Sequence, residues 1–378
     1  MKILLHKKRI TLQWVSILFF FLTILLKNEV DNLVTTLLYY GSMILCVIAL
    51  RNLHKRVLEN IHLLICGTLV FGGFNIVFIG NNTVIRLTLV VLGFFIAELF
   101  LSHTAPANAF LASVIINTVF IIYKVAKYGV GSNVYLAVSN NYISIFLLAP
   151  LLIYYVKKEM YHCAISIKPA IIVWVMCFIG GGRGGLLVAS FLLCCLLFYR
   201  YKKMPNVREK FLISFIFPVF VITAATVLLP VVINHFGDYR VVSRFMEIGF
   251  NSDSRLRMWR EYFELLKDSK YLLLGGPLGE VFWAAKFYNG NLHNSFLMVH
   301  AFFGLGGFIA IVIMMMSSFK FAVQQQRWIF IICFIAFCMR AFTDHVFGCY
   351  RLTPVFLFFL LYPIAERKGE MKEGEKCG

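Results

Sequence analysis

The chain has 378 residues, 60% hydrophobic and 14% charged, with 36 basic and 18 acidic side chains for a net charge of +18. So apolar a composition excludes a soluble globular domain, and continuous rather than alternating apolar runs exclude a spanning β-barrel. The basic excess gathers in alternating short loops, as the positive-inside rule expects of a polytopic membrane protein, so no nucleic-acid partner is expected.

At about 20 apolar residues per crossing, the chain reads as about twelve transmembrane helices. They lie near 10–26, 33–50, 61–79, 84–101, 107–123, 141–156, 164–182, 184–199, 211–233, 294–316, 328–347 and 352–365. Lys2, Lys7, Lys8 and Arg9 precede the first run with no small-residue cleavage pattern, which predicts a retained first helix rather than a signal peptide. The segments RNLHKR (51–56), KKEMYH (157–162), YRYKKMPNVREK (199–210), 317–327 and the C-terminal ERKGEMKEGEK are basic enough to be cytoplasmic. Both termini then lie inside, and the loop from about 234 to 293 faces outward. Lys124 and Lys127 fall on the outer side, against the rule. The fold class is an all-α polytopic integral membrane protein, one transmembrane domain over 1–366 with a long extracytoplasmic loop between helices nine and ten. A charged cytoplasmic tail (367–378) follows, and no internal repeat is evident.

The ten cysteines are scattered, and Cys46, Cys66, Cys177, Cys194, Cys195, Cys333 and Cys338 lie in apolar runs without metal-ligand spacing. There is no HExxH, no DxD-type acidic pair in the outward loops and no Walker motif. Neither a metal, a cofactor nor ATP is expected.

Chemistry-bearing residues concentrate on the outward side. GGGRGG (180–185) puts Arg183 at a helix end, where glycines permit close backbone approach. Arg183 there either meets an anion or snorkels to headgroups. The outward loop holds NSDSRLRMWREYFELL (251–266), an amphipathic helix capped at Asp253 or Ser254, with Leu256, Trp259, Phe263 and Leu266 on one face. Arg255 then occupies the first turn, where free N–H groups and the helix dipole favour an anion, and its guanidinium matches phosphate oxygens. Arg255, Arg257 and Arg260 read equally as solvated cations pairing with Glu261 and Glu264. LLLGGPLGEVF (272–282) folds the loop back, and Glu280 has no assigned role. His293, in HNSF before the returning helix, can accept a proton near neutral pH or cap that helix. Arg340, Asp344, His345 and Arg351 cluster around the last two helices, where Arg340 and Asp344 either pair structurally or bind substrate. Arg86 is a weaker case of the same kind.

With these residues in view, the chain resembles the bacterial O-antigen ligase and O-antigen or capsular polysaccharide polymerase superfamily (Wzy/WaaL-like). The resemblance rests on helix count, the long late loop, Arg183-Gly184 at a helix end, Ser254, Arg255 and Trp259 opening the loop, and the turn Gly276 to Gly279 followed by His293 to Phe296. It covers roughly 165 to 320. The resemblance implies a GT-C-like membrane glycosyltransferase of the bacterial inner membrane, with its active site on the periplasmic face. Its donor and acceptor would be undecaprenyl-diphosphate-linked oligosaccharides, with membrane lipid, a chain-length regulator and a flippase as further partners. The pyrophosphate-binding arginines map onto Arg183 and Arg255, with Arg257, Arg340 and Asp344 as further substrate-binding candidates, and the catalytic base maps onto His293. The expected reaction is metal-independent polymerisation. Ligation to lipid A core, or transport of the lipid-linked oligosaccharide, is the alternative.

Overall fold

The computed structural model describes residues 2–51, 61–129, 134, 139, 141–180, 182–203, 253–348 and 351–367. The span expected at 211–233, the outward loop before 253 and the tail beyond Arg367 lie outside them. Among the described residues the chain is all-helical and holds no strand. The helices are α1 (Lys2–Glu29), α2 (Leu33–Arg51), α3 (Ile61–Phe78), α4 (Val84–Leu101), α5 (Ala107–Tyr128), α6 (Tyr142–Met160), α7 (Lys168–Ile179) and α8 (Arg183–Lys203). After the gap come α9 (Asp253–Leu265), α10 (Ser269–Leu274), a 3₁₀ turn (Leu278–Glu280), α11 (Phe282–Tyr288), α12 (Ser295–Gln324), α13 (Trp328–Thr343) and α14 (Thr353–Arg367). Among the described residues six helical stretches are long and apolar enough to cross a membrane: Ile10–Glu29, Leu33–Leu50, Val84–Leu101, Ala107–Tyr128, Arg183–Lys203 and Ser295–Gln324. The protein is a helical, membrane-embedded one.

The centre of the bundle is α6. Every residue from Tyr142 to Lys157 is buried, as expected of a helix that is apolar all round and packed between α5, α7, α8 and α13. Beside it α13 and α14 interlock through rings, with Phe347 stacked on Phe356 at 3.6 Å and Phe337 stacked on both.

Contacts between helix ends fix the direction of each helix. At one end of the bundle Arg351 bonds Asn28 and pairs with Asp31 at 3.4 Å, Lys124 pairs with Glu29, and Asn141 receives Arg340. At the other end the Lys157 ammonium donates to the Ser102 carbonyl (2.7 Å), and the Tyr155 hydroxyl donates to Ser166 O (2.9 Å). There too the Glu159 carboxylate accepts the N–H groups of Ile329 (2.9 Å) and Phe330 (2.8 Å), neutralising the start of α13, while Arg327 pairs with Glu366. Consecutive helices among α1–α8 therefore alternate in direction, as do α12–α14. The two cations that broke the charge rule are accounted for. Lys124 is nearly buried against Glu29, and Lys127 lies over the rings of Tyr123 and Tyr128.

The segment from α9 to α11 caps the first end, and Gly304 in α12 makes room for it. There φ is 64° and ψ −170°, a conformation open to glycine, and a Cβ would overlap the Leu273 carbonyl. The break frees carbonyls that asparagine amides take up. Asn75 and Asn81 donate to Ala301 O (both 2.8 Å), and Asn82 donates to Phe302 O (3.3 Å). Asn75 also reaches Leu274 O and Asn81 reaches Gly276 O, so the same amides bolt the cap to the bundle.

Three expectations need correction. The run at 294–316 is a helix to Gln324, broken at Gly304. The eleventh predicted span ends at Thr343, because Asp344 is extended there and bonded sideways. The buried face of α9 is rotated from the expected one. Met258 and Tyr262 are fully buried, whereas Leu256 and Phe263 are about half exposed. The period was right, but the phase is set by what the helix meets, here Trp259 on Phe342 and Tyr262 on His300.

Candidate active site

Four pieces of chain converge where α6, α8, α12 and α13 meet the cap. The glycine cluster makes the meeting possible. A Cβ on Gly185 would overlap the Ser144 side chain, one on Gly182 would come 3.3 Å from Asn141, and one on Gly184 would come 3.3 Å from Thr343 Oγ1. The closeness that these glycines allow is helix to helix. It sets Arg183, the first residue of α8, against the starts and ends of α6 and α13.

Arg340, in the last turn of α13, is 4% exposed and its fork is spent on protein. Nε donates to Ser144 Oγ (3.2 Å), Nη1 to Thr343 Oγ1 (2.9 Å), and Nη2 to Asn141 O (2.9 Å) and Asp344 Oδ2 (3.2 Å). Asp344, 1% exposed, is thereby held in place. Its other oxygen, Oδ1, accepts from His345 N (2.9 Å), Tyr142 OH (3.3 Å) and His293 Nδ1 (3.1 Å). Burial by itself would raise the Asp344 carboxyl. The hydrogen bond from His293 and the charges of Arg340 and Arg255 outweigh it and hold the group well below the usual carboxylate range. Asp344 is ionised at neutral pH.

His293 is fixed from both sides. Its φ is 49°, unusual for a residue with a Cβ. Asn291 accepts its N–H (2.8 Å), and Trp259 Nε1 donates to the preceding carbonyl of Leu292 (2.9 Å). On the other side Asn294 caps α12 by accepting from Phe296 and Leu297. Ser295 Oγ donates to Asp344 O (2.8 Å) and accepts from Val346 N (2.7 Å), which ties the start of α12 to the end of α13. The Tyr288 ring meets the His293 ring edge-on at 4.7 Å. With an ionised carboxylate at Nδ1, that nitrogen carries the proton and Nε2 carries the lone pair. Nε2 is buried and has no hydrogen-bond partner among the described residues.

Arg255 stands in the first turn of α9, as expected. Burial brings its guanidinium below its usual value; Arg340 and Arg183 push the same way and Asp344 and Tyr288 oppose them. It remains a cation, and Trp259, one turn on, places α9 against the site by donating to Leu292 O and packing on Phe342. The structure thus brings Arg183, Arg255, His293, Arg340 and Asp344 together. Arg257 stands apart on the exposed side of α9, its guanidinium carbon 5.7 Å from the Trp283 ring centroid. Tyr142, Asn141, Ser144, Thr343 and Tyr288 went unnoticed in the sequence. A hydroxyl or amide at the edge of an apolar run was the signal available for the first four. Among the described residues no group of three His, Cys, Asp or Glu side chains could hold a metal ion. No protein-family model matches this chain, and no curated protein matches its sequence.

Proposed function

We propose that the protein is a polysaccharide polymerase of about twelve membrane spans and GT-C type. It would move a glycan from undecaprenyl diphosphate to the non-reducing end of another lipid-linked unit, on the periplasmic face of the bacterial inner membrane. The observation that carries this reading is the His293–Asp344 pair, with an unpartnered Nε2 on the imidazole and two further arginines beside it.

Asp344 orients the imidazole and keeps the proton on Nδ1, and Arg340 holds Asp344. His293 Nε2 then takes the proton from an acceptor hydroxyl as its oxygen attacks the anomeric carbon. The bond from that carbon to the diphosphate oxygen breaks, and its electron pair leaves with the polyprenyl diphosphate. Arg183 and Arg255 meet the charge that develops there. One displacement inverts the anomeric carbon.

The test is a reconstituted assay of the purified full chain with a lipid-linked repeat unit, products resolved by size. A ladder is expected from the wild type. His293→Ala should lose about 10²–10⁴-fold in rate, the share of proton transfer. A single transfer that depends on added lipid A core would mean ligation. No product from intact protein, with lipid-linked units moved across vesicles, would mean transport.

A further inference from the structure

Transfer needs a place beside His293 for the sugar that supplies the hydroxyl. A cavity of about 410 Å³, within the range of small-ligand sites, has Arg86, Tyr288, Asn291, Phe302 and His345 in its wall. Tyr288 packs on the His293 ring and Asn291 accepts the His293 N–H, so the cavity shares two residues with the base.

Among the described residues the wall contains no carboxylate. Arg86 Nη1 donates to Asn81 O at 2.6 Å, and its guanidinium carbon lies 5.0 Å from the Phe302 ring centroid. None of the ion pairs among the described residues includes Arg86. Asn81 anchors it, since its amide is committed to Gly276 O, Ala301 O and Leu278 N. Burial holds the His345 imidazole down at about 4, so it is uncharged at neutral pH. Among the described residues of the wall Arg86 is therefore the one formal charge, with donors of its fork left over.

We propose, resting on the transfer reading above, that this cavity receives the acceptor glycan and that Arg86 selects an acceptor sugar bearing a carboxylate. A planar guanidinium matches a carboxylate with two parallel hydrogen bonds, while Tyr288 and Phe302 offer rings to the apolar face of the sugar.

The experiment titrates the purified full chain, in nanodiscs of neutral lipid, with methyl glucuronide, methyl glucoside and inorganic pyrophosphate, followed by isothermal titration calorimetry. Wild type should bind the glucuronide about ten-fold tighter than the glucoside, the worth of one charged hydrogen bond. Arg86→Gln should lose that preference, and Arg86→Lys should keep part of it. Equal binding of the two glycosides, or a preference that survives Arg86→Gln in folded protein, overturns the proposal. So does pyrophosphate that displaces the glucuronide and loses its own binding in Arg86→Gln, because the cavity would then serve the diphosphate. Transfer activity enters none of these readouts. An Arg86-dependent preference without any ladder activity would leave a carboxylate-sugar site standing and fell the polymerase reading alone.

Discussion

Asp344→Asn keeps the shape of the side chain and removes its charge, which makes it the sharpest test of the site. Asp344 is 1% exposed and accepts from His293, Arg340, Tyr142 and the His345 N–H. Removing one partner of a buried ion pair costs about 3–5 kcal/mol. Arg340 keeps Ser144, Thr343 and Asn141 as acceptors, so the cost should sit at the low end of that range. The rate should fall further than stability alone explains. An amide can turn its NH₂ toward His293 Nδ1, which would move the proton to Nε2 and abolish the base, about 10²–10⁴-fold in rate. Single-turnover transfer, normalised to folded protein by thermal unfolding in nanodiscs, separates the two effects. The pH dependence has a sign. The folded carboxyl lies below the unfolded value near about 3.9, so its stabilisation is complete above that value and is lost as pH falls through the folded one. The gap in unfolding temperature between wild type and Asp344→Asn should be flat above about pH 5 and close only below about pH 4. Folded Asp344→Asn that transfers within a few-fold of wild type, or a gap that opens between pH 6 and 8, would refute the argument.

Three more substitutions probe the supports. Arg255→Lys keeps the charge but loses the fork, and kcat/KM for the lipid-linked donor should drop about ten-fold, one charged hydrogen bond; an unchanged value would remove Arg255 from the donor site. Trp259→Phe loses the bond to Leu292 O, about 1 kcal/mol, and frees the strained backbone of His293. The transfer rate should fall several-fold, whereas an intact rate with lower stability would make Trp259 a strut only. Gly304→Ala forces a Cβ into the Leu273 carbonyl and strains a glycine-only conformation, at about 1–3 kcal/mol for the dihedrals alone. Its unfolding temperature should fall, and no change would mean that α12 need not break there.

Where the helices run was legible because the signal is local. A run of about 20 apolar residues has few alternatives in a bilayer, and α4 and α8 begin within a residue of the expected positions. Lengths and phases were not legible, since both depend on partners distant in the chain. Gly304 reads as one more glycine until Leu273 lies on it, and the face of α9 is decided by Phe342 and His300. The site divides the same way. Arg183, Arg255 and His293 stood out as polar residues beside apolar runs. Arg340 also stood out, as an i, i+4 pair with Asp344, but that Arg340 holds Asp344 and Asp344 holds His293 required Ser144, Asn141 and Tyr142 from another helix.

Arg183, Arg255 and Arg340 face one carboxylate, Asp344, among the coupled groups, and Arg340 is the arginine paired with it. Burial lowers the Arg255 guanidinium, and the neighbouring charges of Arg340 and Arg183 push the same way. A fold selected for stability alone gains little from gathering like charges, because a like charge nearby disfavours the charged form. In the proposed reaction an arriving dianion would offset that repulsion. A sugar–diphosphate–lipid carries one negative charge on each phosphate, which the guanidinium groups of Arg183 and Arg255 would meet. Asp344, already committed to Arg340 and His293, stays aimed at the base rather than at the ligand. In the proposed reaction the pairing of Arg340 therefore divides the labour: it keeps Asp344 on the base, while Arg183 and Arg255 would meet the leaving group.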